Sequence, residues 1–438
     1  MKARDTGGAL MSGMSRREVM AGTVGLLGTA LSPRAPAAAA MGGAEPPGTQ
    51  APPPTWAERQ FEIYLAGQGG TKPPRPISVE ALEDKAREAM SPEAFGYVAG
   101  SAGSEDTYRA NLEAFRRWRI VPRIMRDVSR RTLDVEVFGR RLPVPVLLAP
   151  LGVQSIIHPQ GELAVARAAR ALGIPMVLST VSSNSLEDVA AILGPVPRWF
   201  QLYWPKDPDL AVSFIKRAEA AGYSALVVTL DTGLLGWRER DLQNGYLPFL
   251  SGQGMANYFT DPVFRARLKA PPERDLPAAV EQFERNVSNP ALTWADLAFL
   301  RRTTRLPIVL KGVLHPDDAR RAIAEGMQGV GVSNHGGRQV DGAVAALDAL
   351  PRVVEAAGDK ATVIFDSGIR RGADVVKALA LGARSVLLGR PYAYGLAVGG
   401  EDGVRDVVSN LLADLDLTLA LAGCASVAEL GRDNLVEA

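Results

Sequence analysis

Eight short apolar runs, spaced through a strand–helix alternation, limit what this chain can fold into more than any other feature. They cover 145–150, 175–180, 198–203, 225–231, 307–311, 329–333, 361–366 and 385–390. Each run is continuously apolar rather than alternating, as strands covered on both faces must be. Eight such units in order predict an α/β fold, a (β/α)8 TIM barrel with an N-terminal helical extension and a long insertion after strand four. A doubly wound sheet is the rival architecture, but it does not need eight matched units. No strand is followed by a G-x-G-x-x-G dinucleotide fingerprint, and the sequence has no Walker A motif.

Barrel active sites lie at the C-terminal ends of the strands. Those ends offer Ser179, Gln201, Tyr203, Thr229, Asp231, Lys311, Ser333, His335, Arg338, Asp366, Arg370 and Arg390. The densest group is Ser333-Asn334-His335-Gly336-Gly337-Arg338-Gln339. Two glycines between a base and a fixed cation let the backbone approach a ligand closely. A histidine and an arginine so placed suit a site that binds a small anion and moves a proton. Asp366-Ser367-Gly368-Ile369-Arg370 and Leu388-Gly389-Arg390 follow strands seven and eight, the usual phosphate-binding position of the barrel. The expected site holds a phosphorylated ligand beside a base (His335), a carboxylate (Asp231) and cations (Lys311, Arg238 and Arg338).

The flanking sequence sets the boundaries. Ser15-Arg16-Arg17 precedes a mildly apolar, Gly-rich run to Leu31 and then Ala35-Pro36-Ala37-Ala38-Ala39-Ala40. This reads as a twin-arginine (Tat) signal peptide over 1–40. The run is too short and too rich in glycine to span a bilayer, so no membrane insertion is expected. Export to the periplasm or beyond follows, with a cytoplasmic location as the alternative. Residues 41–54, rich in Pro, Gly and Ala, read as disordered linker. A helical segment is expected over 55–130 and the barrel over 131–438, with 233–295 as a lid-like insertion. A formal net charge of +1 gives no reason to expect a nucleic-acid partner. The single cysteine, Cys424, excludes a disulfide scaffold within the chain. Three histidines (His158, His315 and His335) are too few to favour a multi-histidine metal site, and no metal is expected.

With these residues in view, the chain resembles the FMN-dependent α-hydroxy-acid oxidase and dehydrogenase family over roughly residues 78–430. Ser333–Gln339 carries that family's signature. Phe200-Gln201-Leu202-Tyr203, Thr229-Leu230-Asp231-Thr232, Lys311-Gly312 and Leu388-Gly389-Arg390-Pro391 also match. Tyr97-Val98-Ala99-Gly100, Leu235-Gly236-Trp237-Arg238, Asn257–Phe264 and His315–Arg321 are similar to the lactate 2-monooxygenase branch.

The resemblance implies FMN as cofactor, a small L-2-hydroxy acid as substrate, molecular oxygen as acceptor and a homo-oligomer, a tetramer by analogy. A monooxygenase outcome, in which the keto acid is oxidatively decarboxylated before release, is also implied, and a dehydrogenase passing electrons to a quinone or cytochrome is the alternative. It implies His335 as the base and Asp231 as the carboxylate that stabilises its charged form. Arg338 and Arg238 would clamp the substrate carboxylate, helped by Tyr97, with Tyr203 at the hydroxyl. Lys311 would face the flavin N1 and O2. Ala149, Ser179, Gln201 and Thr229 would line the flavin ring. Ser333, Asp366, Ser367, Gly368, Arg370, Gly389 and Arg390 would serve the rest of the cofactor. The chain departs from the monooxygenase branch at Gly233, where that branch carries a bulky residue, and from many oxidases at Val181, where they carry an aromatic. Both changes widen the expected pocket and leave room for an acid larger than lactate.

Overall fold

The computed structural model describes residues 56–438. The twin-arginine signal expected over 1–40 and the linker expected over 41–54 lie outside the described residues. Eight parallel strands close into a barrel: β1 (Val146–Leu148), β2 (Met176–Ser179), β3 (Arg198–Leu202), β4 (Leu226–Thr229), β5 (Ile308–Lys311), β6 (Gly329–Val332), β7 (Thr362–Phe365) and β8 (Ser385–Leu388). β8 pairs with β1, which completes the ring. The strands are nearly all buried on both faces, which explains their unbroken apolar sequence. Each ends at, or up to two residues before, the end of its apolar run, so Ser179, Gln201, Thr229 and Lys311 lie in the last two residues of their strands, and Tyr203, Asp231, Ser333, His335 and Asp366 fall just beyond.

Inward and outward side chains form two separate cores. Leu147, Val177, Trp199, Val227, Val309 and Ile364 fill the barrel. Their outward neighbours, such as Leu148, Leu178, Phe200 and Val228, pack under the surrounding helices. A hairpin of Val135–Val137 and Arg140–Leu142 closes the N-terminal end of the barrel, with Val135, Val137 and Leu142 joining the interior cluster. The glycines of β6 are part of this packing. A Cβ on Gly329 would sit 3.0 Å from the Phe138 ring, and one on Gly331 would sit 3.2 Å from Lys311 Cα. Glycine here leaves room for the plug at one end and for the Lys311 side chain at the other.

The segment expected to be helical over 55–130 contains helices Glu58–Gln68, Val79–Ala89, Pro92–Ala99 and Asp106–Arg116. Ser78 and Ser91 cap the second and third, accepting from Ala81 N–H and Ala94 N–H. The segment is not helical throughout. Trp118–Ile120 is a strand that pairs antiparallel with Leu435–Glu437. Asp341, beyond β6, accepts from the N–H groups of Ser104, Asp106 and Thr107. That contact fastens the helical segment to the barrel mouth and brings Tyr97 over it.

The 233–295 insertion contains short helices Glu239–Gln243, Ala256–Phe259 and Pro262–Ala266 and a longer one, Leu276–Val287. Tyr258, Phe264 and Phe283 from this stretch are fully buried. Asn257 is buried too; it donates to the carbonyls of Ser179 and Thr180 and accepts from Leu186 N–H, gripping the loop after β2. No helix among the described residues is long and apolar enough to cross a membrane.

Candidate active site

A cavity of about 370 Å³ opens at the C-terminal ends of the strands. Of the residues expected from sequence, Tyr97, Tyr203, Thr229, Arg238, Lys311, His335 and Arg338 line it. So do Ala149, Asp366, Ser367, Gly368, Arg370, Gly389 and Arg390. Asp231 and Ser333 contact this lining, Asp231 at His335 and Ser333 Oγ at Lys311; Ser179 and Gln201 are buried in β2 and β3, Ser179 Oγ donating to Gln201 Oε1 at 3.1 Å.

His335 adopts φ 57°, a left-handed conformation that is costly for a residue with a side chain. Two contacts hold it there. Its N–H donates to Ser333 Oγ at 3.0 Å, and its ring Nδ1 lies 2.9 Å from Asp231 Oδ1. With Nδ1 committed to the carboxylate, Nε2 is the ring nitrogen left for a ligand. Burial pushes the His335 pKa down; Asp231 opposes this, but Lys311 and Arg238 add to the fall, and the net shift is downward. The resting imidazole is therefore neutral and able to accept a proton. Burial pushes Asp231 upward, yet the charges of His335 and Lys311 outweigh it, so the carboxyl titrates below its ordinary range. Gln339 braces the pair, donating to the carbonyls of Asp231 and Leu234 at 2.8 Å each.

The cations are unevenly matched. Lys311 reaches Asp366 at 3.2 Å and Ser333 Oγ at 2.8 Å. Burial alone would lower its pKa, but Asp366 and Asp231 raise it, so it stays charged. Arg338, by contrast, donates only to backbone, through Nη1 to the carbonyls of Tyr97 and Gly100 at 2.6 and 2.8 Å. Arg390 donates to the carbonyls of Val98, Gly100 and Gly336 and to Ser101 Oγ. Burial depresses both guanidiniums, and Arg238 adds to the effect on Arg338. A buried cation without a counter-charge is costly, so both positions call for an anion. Arg238 donates to Arg338 O at 3.1 Å and to Gln339 Oε1 at 2.9 Å, with Asp241 at 3.9 Å.

The cavity fits a phosphorylated flavin. Gln201 Nε2, Thr229 Oγ1 and Arg370 Nη2 are buried and have no hydrogen-bond partner among the described residues. Buried polar groups of this kind are normally satisfied. Gln201 and Thr229 lie at the ends of β3 and β4, where polar ring atoms would meet them; Arg370, beyond β7, would pair with the phosphate. A Cβ on Gly389 would meet nothing closer than 3.9 Å, so the backbone there is open to a bulky group. Residues 366–370, 389 and 390 would hold phosphate and ribityl oxygens, while Lys311 supplies a cation on the ring side.

Sequence reading missed several parts of the site. Tyr108 lies under two arginines, its ring centroid 5.8 Å from Arg370 Cζ and 5.0 Å from Arg390 Cζ. Asn111 and Asn334 exchange side-chain hydrogen bonds at 2.8 Å beneath the signature loop. Leu247, Phe249, Phe283 and Val287 of the insertion line the cavity. The other two histidines are not in the site. His158 Nδ1 accepts from Gln160 N–H, and His315 caps the helix Pro316–Ala324.

A barrel whose strand ends gather a carboxylate-paired histidine, unbalanced arginines and a phosphate cradle defines a flavin-dependent oxidoreductase scaffold. The chain belongs to the FMN-dependent dehydrogenase family, which it matches over residues 86–437, and FMN is its cofactor. It is 47% identical to the FMN-dependent alpha-hydroxy acid dehydrogenase qulF of Penicillium citrinum over 386 residues, 87% of this chain and 96% of that protein. An L-lactate oxidase of Lysinibacillus sphaericus is 45% identical over 364 residues, 83% and 94% of the two chains. The crystal structure of mandelate oxidase superposes with a TM-score of 0.73 at 40% identity, covering 83% of this chain and 98% of that one.

Proposed function

We propose that the chain oxidises an L-2-hydroxy acid to the 2-keto acid with molecular oxygen as acceptor. The observation that carries this reading is the His335–Asp231 pair, 2.9 Å apart, set beside Arg338 and Arg238 in one cavity. Oxidase and dehydrogenase relatives acting on 2-hydroxy acids support it. Arg338 and Arg238 bind the substrate carboxylate, and a planar fork matches it in two points. Tyr203, whose pKa burial and Asp231 push upward, keeps its proton and donates to the substrate hydroxyl oxygen. His335 Nε2 takes the proton the substrate gives up, and Asp231 stabilises the imidazolium. FMN, when bound, supplies the two-electron acceptor. In the net reaction the hydroxy acid loses two electrons and two protons, and dioxygen gains them as hydrogen peroxide. We further propose that the enzyme is exported and acts as a homo-oligomer.

The test is anaerobic mixing of the holoenzyme with L-2-hydroxy acids, followed by air. Bleaching of the flavin, then recovery with stoichiometric peroxide and keto acid, is the expected result. Decarboxylated acid in place of peroxide would identify a monooxygenase, and slow recovery in air a dehydrogenase. A flavin that no hydroxy acid bleaches would exclude the reading.

A further inference from the structure

The insertion after β4 supplies the far wall of the cavity. From the insertion, Leu247, Phe249, Phe283, Glu284, Val287 and Ser288 line the cavity, beside Val181 from the loop after β2. Leu247, Phe249, Phe283, Val287 and Val181 give this lining an apolar patch with no polar side-chain atom. The wall is fixed in place. The Phe283 ring lies 4.8 Å from that of Tyr258 and 5.3 Å from that of Phe249, and Phe283 is 1% exposed. The helix Leu276–Val287 begins at Asp275, which accepts from Ala278 N–H at 3.1 Å. Near its other end, Asn286 Oδ1 accepts from Asp207 N–H at 3.1 Å and ties the helix to the loop after β3. A preformed apolar wall stabilises a ligand in proportion to the apolar area covered, and a methyl group covers little of it. One charged side chain lies at the edge of this wall. Glu284 is exposed and has no ion-pair partner among the described residues. A carboxylate there repels a second carboxylate on a ligand.

We propose that this end of the cavity takes the side chain of a bulky, uncharged 2-hydroxy acid, aryl or branched alkyl. Phe283 and Val287 select its size, and Glu284 rejects dicarboxylates. This rests on the function proposed above and deepens it.

The test compares L-lactate, L-2-hydroxy-4-methylpentanoate, L-3-phenyllactate and L-malate as substrates of the holoenzyme. The matching 2-keto acids are titrated by calorimetry, which reads binding without turnover. The two bulky acids are expected to exceed lactate at least tenfold in kcat/KM, and their keto acids to bind at least tenfold tighter than pyruvate. Malate should fall at least tenfold below lactate. Val287→Trp should cut the phenyllactate-to-lactate ratio at least tenfold. Glu284→Lys, at an exposed position that folding tolerates, should raise the malate-to-lactate ratio at least tenfold. Lactate preferred over both bulky acids, or ratios unmoved by both variants, overturns the inference and leaves 2-hydroxy-acid oxidation standing. No flavin reduction by any acid and no keto-acid binding would overturn both.

Discussion

His335 Nδ1 lies 2.9 Å from Asp231 Oδ1, while the other oxygen of that carboxylate, Oδ2, is buried without a hydrogen-bond partner among the described residues. The charge of Asp231 is thus directed at the imidazole. This fixes the sign of the pH dependence. In the proposed role of base His335 works when neutral, and its pKa is held below the ordinary 6.5 by burial, against the pull of Asp231. In kcat/KM, which reports the free enzyme, activity should be level above about pH 6.5 and fall at lower pH, as the imidazole gains its proton. Asp231→Asn removes the one charge that raises the histidine. It should lower kcat/KM by about 10²- to 10⁴-fold and move the acid limb to lower pH. An acid limb that moves up instead would show that the carboxylate is not the histidine's electrostatic partner.

Arg338 tests the carboxylate clamp. Its hydrogen bonds run through Nη1 to two carbonyls, which leaves the rest of the guanidinium for a ligand. Arg338→Lys keeps the charge and loses the planar fork. A hydrogen bond to a charged group contributes about 1.5–3 kcal/mol, so kcat/KM should fall roughly ten- to hundredfold. Flavin content should not change. A variant that binds substrate normally but loses its flavin would move Arg338 from the substrate to the cofactor.

Arg370 belongs to the other end of the cavity. Its Nη1 donates to Ile369 O, and its Nη2 is buried without a partner. Arg370→Gln should weaken FMN about ten- to hundredfold, by the same charge-assisted bond. Activity measured in dilute enzyme should then return on adding FMN. The effect should also appear as stability. A ligand held at about 100 times its dissociation constant stabilises the folded state by about 2.7 kcal/mol. Stripping FMN should therefore lower Tm by several degrees, and the Arg370→Gln protein should regain that shift only at higher FMN. Equal shifts for both proteins at limiting FMN would remove Arg370 from the phosphate site.

The strands and the residues just past them were legible because both follow from short-range rules. A strand buried on both faces must be apolar, and the first polar residue beyond it marks the mouth of the barrel. Asp231, Lys311 and His335 could be placed this way. What depended on distant partners was not legible. Trp118–Ile120 has no strand signal until Leu435–Glu437 lies beside it. Gln339 closes the signature but shows its role only once Asp231 and Arg238 stand on either side. Tyr108 reads as an ordinary helical tyrosine, and nothing in its spacing points to the arginines above it. The insertion lacks a repeating period, because its short helices are set by the burial of Tyr258, Phe264 and Phe283 rather than by an amphipathic stripe.

Glu162 was missed for the same reason and gives the last prediction. It is fully buried, and its Oε1 accepts from Gln154 N–H at 3.2 Å and Ser183 N–H at 3.0 Å. It thus ties the loop after β1 to the loop after β2, behind the cavity. Burial pushes its pKa up to about 7 from 4.5, although those N–H groups pull it down. A folded-state pKa above the unfolded one means that the folded state binds the proton more tightly. The contribution to stability is complete below pH 4.5 and is lost as pH rises through 7. Glu162→Gln stays neutral throughout and keeps an acceptor for the two N–H groups. Relative to the variant, the wild-type protein should therefore lose roughly 1–3 kcal/mol between pH 5 and pH 9. Urea unfolding of both proteins at the two pH values measures the difference directly, since the other titrating groups cancel. A gap that stays constant, or that widens toward low pH, would mean that Glu162 is ionised in the folded protein and that its second oxygen, Oε2, has a partner.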